Sequence, residues 1–220
     1  MSEARVISVN VGQPQEVKFR NGTVLTGIFK QPVASRVTVK ELNLAGDRQA
    51  DLTVHGGLDK AVYCYPVEHY PFWAAELPGT DLPYGMFGEN LTTKGLDETS
   101  VHIGDRFRIG SAVLQVTQPR TPCYKLGIKF GRSDMVENFW SSGRSGFYFS
   151  VIVEGEIGAG DVIERVAVGL GRVSVAEVLQ FAGGAEPDRA QLERVLQSPL
   201  PDPWKRNFTA RFADTARQLR

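Results

Sequence analysis

The sequence predicts a mixed α+β fold, predominantly β, with a small three-helix domain at its C-terminal end. Three features predict it. Short apolar runs separated by Gly, Pro, Asn and Asp fill most of the chain, few helical stretches interrupt them, and after about Val168 the apolar period becomes helical. A pattern this rich in strands suits a mixed barrel or sandwich rather than a doubly wound sheet, which needs a helix between successive strands.

In chain order, strands are expected at residues 5–11, 24–29, 36–39, 61–65, 106–109, 113–117, 147–153 and 161–168. Two helices break the series: 67–77, opening behind Pro66, and 133–140, with Ser133 as N-cap. In the tail, Ser174 and Glu177 have the spacing of a capping box, in which serine accepts from the third helical amide while glutamate reaches back. Gly183 and Gly184 then stop that helix. Pro187 suits the first turn of a second helix reaching about Gln197, and Asp202-Pro203 opens a third. Trp204, Phe208, Phe212 and Leu219 lie at spacings near one or two turns and form one apolar stripe. The expected domains are 1–168 and 169–220, joined at Gly169 to Gly171 by a link that few hydrogen bonds should cross.

Composition narrows the function classes. A chain of 220 residues, 42% hydrophobic and 23% charged, can bury a substantial core and has an ordinary soluble composition. Its formal net charge is zero, which argues against nucleic acid or an anionic membrane as partner, so any anion site must be local. Glu3 and Arg5 interrupt the first apolar run, unlike a signal peptide, and no stretch approaches the roughly 18 apolar residues of a membrane span. The two cysteines, Cys64 and Cys123, lie far apart with no CxxC, so no disulfide framework or zinc cluster is readable. The expectation is a cytoplasmic protein.

Four clusters can carry chemistry. Residues 46–60, GDRQADLTVHGGLDK, combine Gly56 and Gly57, whose backbone amides could approach an anion, with the cations Arg48 and Lys60 and with His55 and Asp59; the same segment also reads as an ordinary turn. Gly88, Glu89 and Asn90 read either as a close backbone approach with polar atoms or as a strand entry with solvated side chains. In residues 118–125, QPRTPCYK, two prolines stiffen the loop that presents Cys123, and Arg120 and Lys125 favour its thiolate; a small buried apolar cysteine is the alternative. The loop SSGRSG carries Arg144, either closing over a phosphate or simply exposed. Cys64, alternating within a strand and lacking charged flanks, is assigned to the core, and His69 and His102 to structural or solvated positions.

Taken in order, GDRQADLTVHGGLDKAVYCYP, GMFGENLTT, VHIGDRFRIG, AVLQVTQPRTPCYKL and RSGFYFSVIVEGEIGAGD resemble the MOSC family, named for the C-terminal domain of molybdenum cofactor sulfurase. The tail is similar to the appendage of its YiiM-like branch. The resemblance implies a MOSC-type β-barrel with peripheral helices and a cysteine, here Cys123, that carries sulfur or ligates molybdenum in a molybdopterin cofactor. It also implies pocket roles for His55, Asp59, Lys60 and Arg120. Relatives often place an arginine where this chain has Ser150, so Arg48 or Arg144 would have to supply that charge. The implied activity is reduction of small N-hydroxylated bases or related compounds, with electrons from a separate reductase. The alternatives are a sulfur carrier that receives a persulfide on Cys123 from a pyridoxal-phosphate cysteine desulfurase, or a non-catalytic molybdopterin carrier.

Overall fold

The computed structural model of the chain describes residues 3–50 and 56–213. Its strands are β1 (Arg5–Val11), β2 (Gln15–Phe19), β3 (Gly22–Thr26), β4 (Gln31–Val33), β5 (Val37–Lys40), β6 (Asn43–Leu44), β7 (Val62–Pro66), β8 (Leu91–Lys94), β9 (Arg106–Ile109), β10 (Ala112–Pro119), β11 (Phe147–Val153), β12 (Gly155–Ile157) and β13 (Ile163–Ala167). The helices are α1 (Tyr70–Glu76), α2 (Tyr124–Phe130), α3 (Met135–Ser141), α4 (Val175–Ala182), α5 (Arg189–Gln197) and α6 (Asp202–Arg211). Eight strands form one sheet in the order β13-β9-β10-β11-β7-β8-β1-β4, antiparallel except at β7/β8. That parallel pair requires a crossover, which contains α1 and the glycine-rich stretch before β8. The sheet curls back on itself, because Ile163 N–H donates to the Ala4 carbonyl at 2.8 Å and Val6 N–H to that of Asp161 at 2.9 Å.

β7 explains how the two sides of the sheet differ. All five of its residues are buried, since strands lie on both edges and packed layers on both faces. Period-two alternation sends Val62 and Cys64 into the main apolar core, and Tyr63 and Tyr65 into an aromatic cluster with Trp73, Phe87 and Phe139. Helices α1, α2 and α3 supply most of the rest of that cluster, burying Tyr70, Leu126 and Met135.

The tail packs Val175, Val178, Phe181, Leu192 and Phe208 onto the same core as Phe107 and Leu114. Hydrogen bonds do cross the 169–171 link, against expectation. Ile103 N–H donates to Val173, Ala176 N–H to Glu98 and Gly169 N–H to the buried Asp105 carboxylate, each at 2.8 Å. A Cβ on Gly169 would sit 1.9 Å from the Ile103 carbonyl oxygen, so glycine is needed here for close packing and not for flexibility.

The Ser174–Glu177 capping box is formed, and the helix it opens ends at Gly183. Three local readings need correction. Asp134, not Ser133, precedes α3, and it makes no side-chain cap. Pro187 lies two residues before Arg189, the first residue of α5, whose N-cap is Asp188 in a second capping box with Gln191. Helix α2 was not expected at all: Lys125 and Lys129 interrupt its apolar face and Gly127 lowers its propensity, but Leu126 anchors it in the aromatic cluster. Phe208 is buried as the stripe requires, while Leu219 lies outside the described residues.

Candidate functional site

Cys123 ends the β10–α2 connection and occupies the N-cap position of α2 in an extended conformation (φ −127°, ψ 168°), with no side-chain cap hydrogen bond. It lines a small, partly solvent-open cleft of about 90 Å³. The wall includes the cations Lys30, Arg48, Lys60, Arg120 and Lys125, the polar Asn90 and Thr121, and the rings of Tyr63 and Tyr148. No carboxylate lines the cleft among the described residues. A chain of zero net charge has therefore gathered positive charge in one place, the arrangement that focuses an anion.

Arg120 is the most buried of these cations. It is 5% exposed, its guanidinium carbon lies 4.9 Å from the Tyr63 ring centre and 5.0 Å from that of Phe139, and its Nη1 is 3.5 Å from the Tyr63 hydroxyl. Among the described residues no carboxylate bonds it. Burial opposes its charge, but the Tyr63 and Tyr148 hydroxyls and Cys123 more than offset this and hold its pKa above the usual value. The same burial pushes both tyrosine pKa values up, so both remain phenols.

Lys30 on the wall is fixed by Asp47, which does not itself line the cleft, with Lys30 Nζ 2.5 Å from both carboxylate oxygens. Asp47 is fully packed and also accepts from Gly12 N–H and Asn90 Nδ2, each at 2.9 Å. Asn90 Oδ1 accepts from Tyr63 N–H at 3.0 Å and Nδ2 also reaches the Asn10 carbonyl at 3.3 Å. Asn90 thus borders the cleft with its polar atoms already engaged inside the protein. Lys60 is half-buried, and burial lowers its pKa against the raising effect of Asp59.

The remaining sequence candidates fall elsewhere. The Asp59 side chain is exposed and outside the cleft wall; its contribution is a carbonyl that accepts from Thr117 Oγ1 at 2.6 Å and Gln118 Nε2 at 3.2 Å. Gly56 and Gly57 do not line the cleft, and His55 lies outside the described residues. Arg144 is turned away, with its guanidinium carbon 3.7 Å from the Phe72 ring centre, so Arg48 and not Arg144 stands at the cleft as the extra cation. Ser150 pairs with Gln115 on the sheet and is not on the wall. Glu89, for which a solvated side chain was one of two readings, is fully buried and accepts from Tyr70 Oη at 2.5 Å and Gly85 N–H at 2.8 Å.

Cys64 is entirely buried with Sγ 3.2 Å from the Thr93 hydroxyl, and burial pushes its thiol pKa far up. It belongs to the core, as read. His69 bonds the buried Glu98 at 2.8 Å, and Glu98 also accepts from Gly146 N–H at 2.6 Å. Gly146 holds φ +62°, and a Cβ there would lie 2.4 Å from the Cys64 carbonyl oxygen, so only glycine fits this approach to β7. Sequence reading missed Lys30, Asp47, Tyr63 and Tyr148. The two tyrosines carry a weak period-two signal, whereas the Lys30–Asp47 pair is made by folding and has none.

The MOSC domain matches residues 51–164 of this chain. This chain belongs to the MOSC domain family. An uncharacterized protein, YflK of Bacillus subtilis strain 168, is 44% identical over 208 residues, covering 92% of each chain. The crystal structure of YiiM from Geobacillus stearothermophilus superposes with a TM-score of 0.78 at 33% identity, covering 94% of this chain and 98% of that one. A protein named Reductase from Gibberella moniliformis strain M3125 is 32% identical over 82% of this chain, which spans only 33% of that relative. The matched MOSC segment contains Lys60, Tyr63, Arg120, Cys123 and Tyr148, whereas Lys30, Asp47 and Arg48 precede it. Among the described residues no helix is long and apolar enough to cross a membrane, and no cluster of three or more His, Cys, Asp or Glu could hold a metal ion.

Proposed function

We propose that the cleft binds a molybdenum–molybdopterin cofactor, with Cys123 as metal ligand, and that the protein reduces small N-hydroxylated compounds. The observation that carries this reading is Arg120, a buried guanidinium without a carboxylate partner among the described residues, three positions from the half-buried thiol of Cys123. A buried charge needs a counter-charge, and an anionic ligand supplies one. The donor set suits the cofactor: cations fit its phosphate, and a single soft sulfur with no rival carboxylates fits molybdenum.

When bound, the cofactor supplies a two-electron redox step that converts an N-hydroxylated base to amine and water. The protein's part is orientation. Arg120, held against Tyr63 and Phe139, presents fixed donors, while Lys30 is pinned by Asp47. The Tyr148 hydroxyl, kept protonated by burial, can donate to a ligand oxygen or nitrogen, whereas Tyr63 already donates to the Ser145 carbonyl at 2.8 Å and holds Arg120 in place. Electrons come from a separate reductase. The Gibberella relative named Reductase supports this division, because two thirds of its length lies outside the part that resembles this chain.

The test is purification from a host that makes the cofactor, followed by assay of metal and pterin together. Near-stoichiometric molybdenum in wild type and Cys64→Ser, and its loss in a folded Cys123→Ser, are expected. Equal molybdenum in folded wild type and Cys123→Ser would remove the ligand assignment, and cyanide-labile sulfur on metal-free wild type would favour the sulfur-carrier function.

A further inference from the structure

We infer that the C-terminal helices tune the cleft, with Trp204 of α6 positioning Lys60 through Gln118 and the Asp59 carbonyl. This rests on the anion-binding reading of the cleft. Trp204 Nε1 donates to Gln118 Oε1 at 2.5 Å, and Gln118 Nε2 donates to the Asp59 carbonyl at 3.2 Å. Gln118 is 4% exposed, so both ends of its amide are committed to these partners and neither is replaced by bulk water. Thr117 Oγ1 meets the same carbonyl at 2.6 Å. The short helical turn Leu58–Lys60 is thereby fixed to β10 by two adjacent side chains, one of which is held from the tail.

The geometry makes Trp204 more than a packing residue. Its ring meets Phe208 at 5.8 Å within the tail, whereas its one polar atom reaches 86 positions back along the chain into the strand that leads to Arg120 and Cys123. Asp59 lies next to Lys60, and the cleft wall includes Lys60 but not Gln118 or Trp204. Trp204 and Gln118 are therefore positioning residues, acting through the peptide that presents Lys60. One consequence follows for binding: a partner seated on α6 would act on the cleft without touching it.

The test uses Trp204→Phe, which keeps the aromatic packing and deletes only the donor. Two measurements are made on the full chain: amide hydrogen exchange of residues 57–61, and calorimetric affinity for inorganic pyrophosphate. Faster exchange in that segment is expected with a melting temperature lowered by only a few degrees, as for one lost hydrogen bond, and with roughly two- to tenfold weaker pyrophosphate binding. A double-mutant cycle with Lys60→Ala separates positioning from general loosening: the Lys60→Ala loss should shrink in the Trp204→Phe background. Additive losses, or unchanged exchange and affinity in Trp204→Phe, overturn the inference while wild-type binding leaves the anion cleft standing. Wild-type protein that binds no pyrophosphate overturns the anion reading and this inference together.

Discussion

Asp47→Ala should unfold the cleft wall from within. The carboxylate is buried and receives Lys30, Gly12 N–H and Asn90 Nδ2, so its removal leaves a buried ammonium uncompensated and costs two further donors their acceptor. Breaking a buried ion pair from one side costs about 3–5 kcal/mol. That is a large share of the roughly 5–15 kcal/mol by which a domain is stable. The cost depends on pH. Burial already holds the Lys30 pKa below its ordinary value although Asp47 raises it, and without Asp47 it falls further. Between the folded and unfolded pKa values of such a base the unfolded chain binds more protons, so stability rises with pH in that window. The deficit of the variant should thus be largest near neutrality and shrink as pH climbs toward about 10.4, the unfolded lysine value. The assay is urea unfolding followed by the fluorescence of the three tryptophans, at pH 7 and pH 9.5, for wild type, Asp47→Ala and Asp47→Ala/Lys30→Met. Replacing the stranded ammonium by methionine should recover about 2 kcal/mol or more of the loss at pH 7, leaving the cost of the orphaned amides. An Asp47→Ala variant within about 1 kcal/mol of wild type at pH 7, or a double variant no more stable than the single, would falsify the account of this wall.

Three other outcomes are expected. Arg120→Met should lower pterin content per folded protein by tenfold or more, whereas Arg108→Met, which loses only an exposed pair with Glu164, should leave it unchanged; equal losses would argue against a localised anion site. In the native protein a thiol reagent should titrate no more than one cysteine, Cys123, and both only in denaturant, because burial keeps Cys64 a thiol; two fast thiols in the native state would overturn that placement. Ser174→Ala should cost about 1 kcal/mol in chemical denaturation through loss of the capping box, and because Val173 and Val175 bond back to the 101–103 segment, the whole chain should lose stability in one transition; a separate early transition of the tail would contradict the shared core.

The sequence by itself determined the local elements and the loop that presents Cys123. Strands 5–11, 106–109 and 147–153 follow from apolar alternation that a half-buried sheet demands, and the Ser174–Glu177 box follows from a bond within one helical turn. The separate environments of the two cysteines were legible too, because the flanking charges of one and the apolar flanks of the other are sequence-local. Only the tertiary structure decided which cations share a cleft. Arg48 and Arg144 look alike in sequence, yet one lines the wall and the other stacks on Phe72. Asn90 looked free and is consumed by Tyr63, Asn10 and Asp47; the last two lie 80 and 43 positions away. The tail looked like a detachable unit behind a glycine link, but its core and the Trp204–Gln118 bond join it to the sheet. The physical reason is the same in each case: capping, alternation and turn chemistry act over a few residues, whereas burial, charge pairing and the satisfaction of buried donors are settled by distant segments.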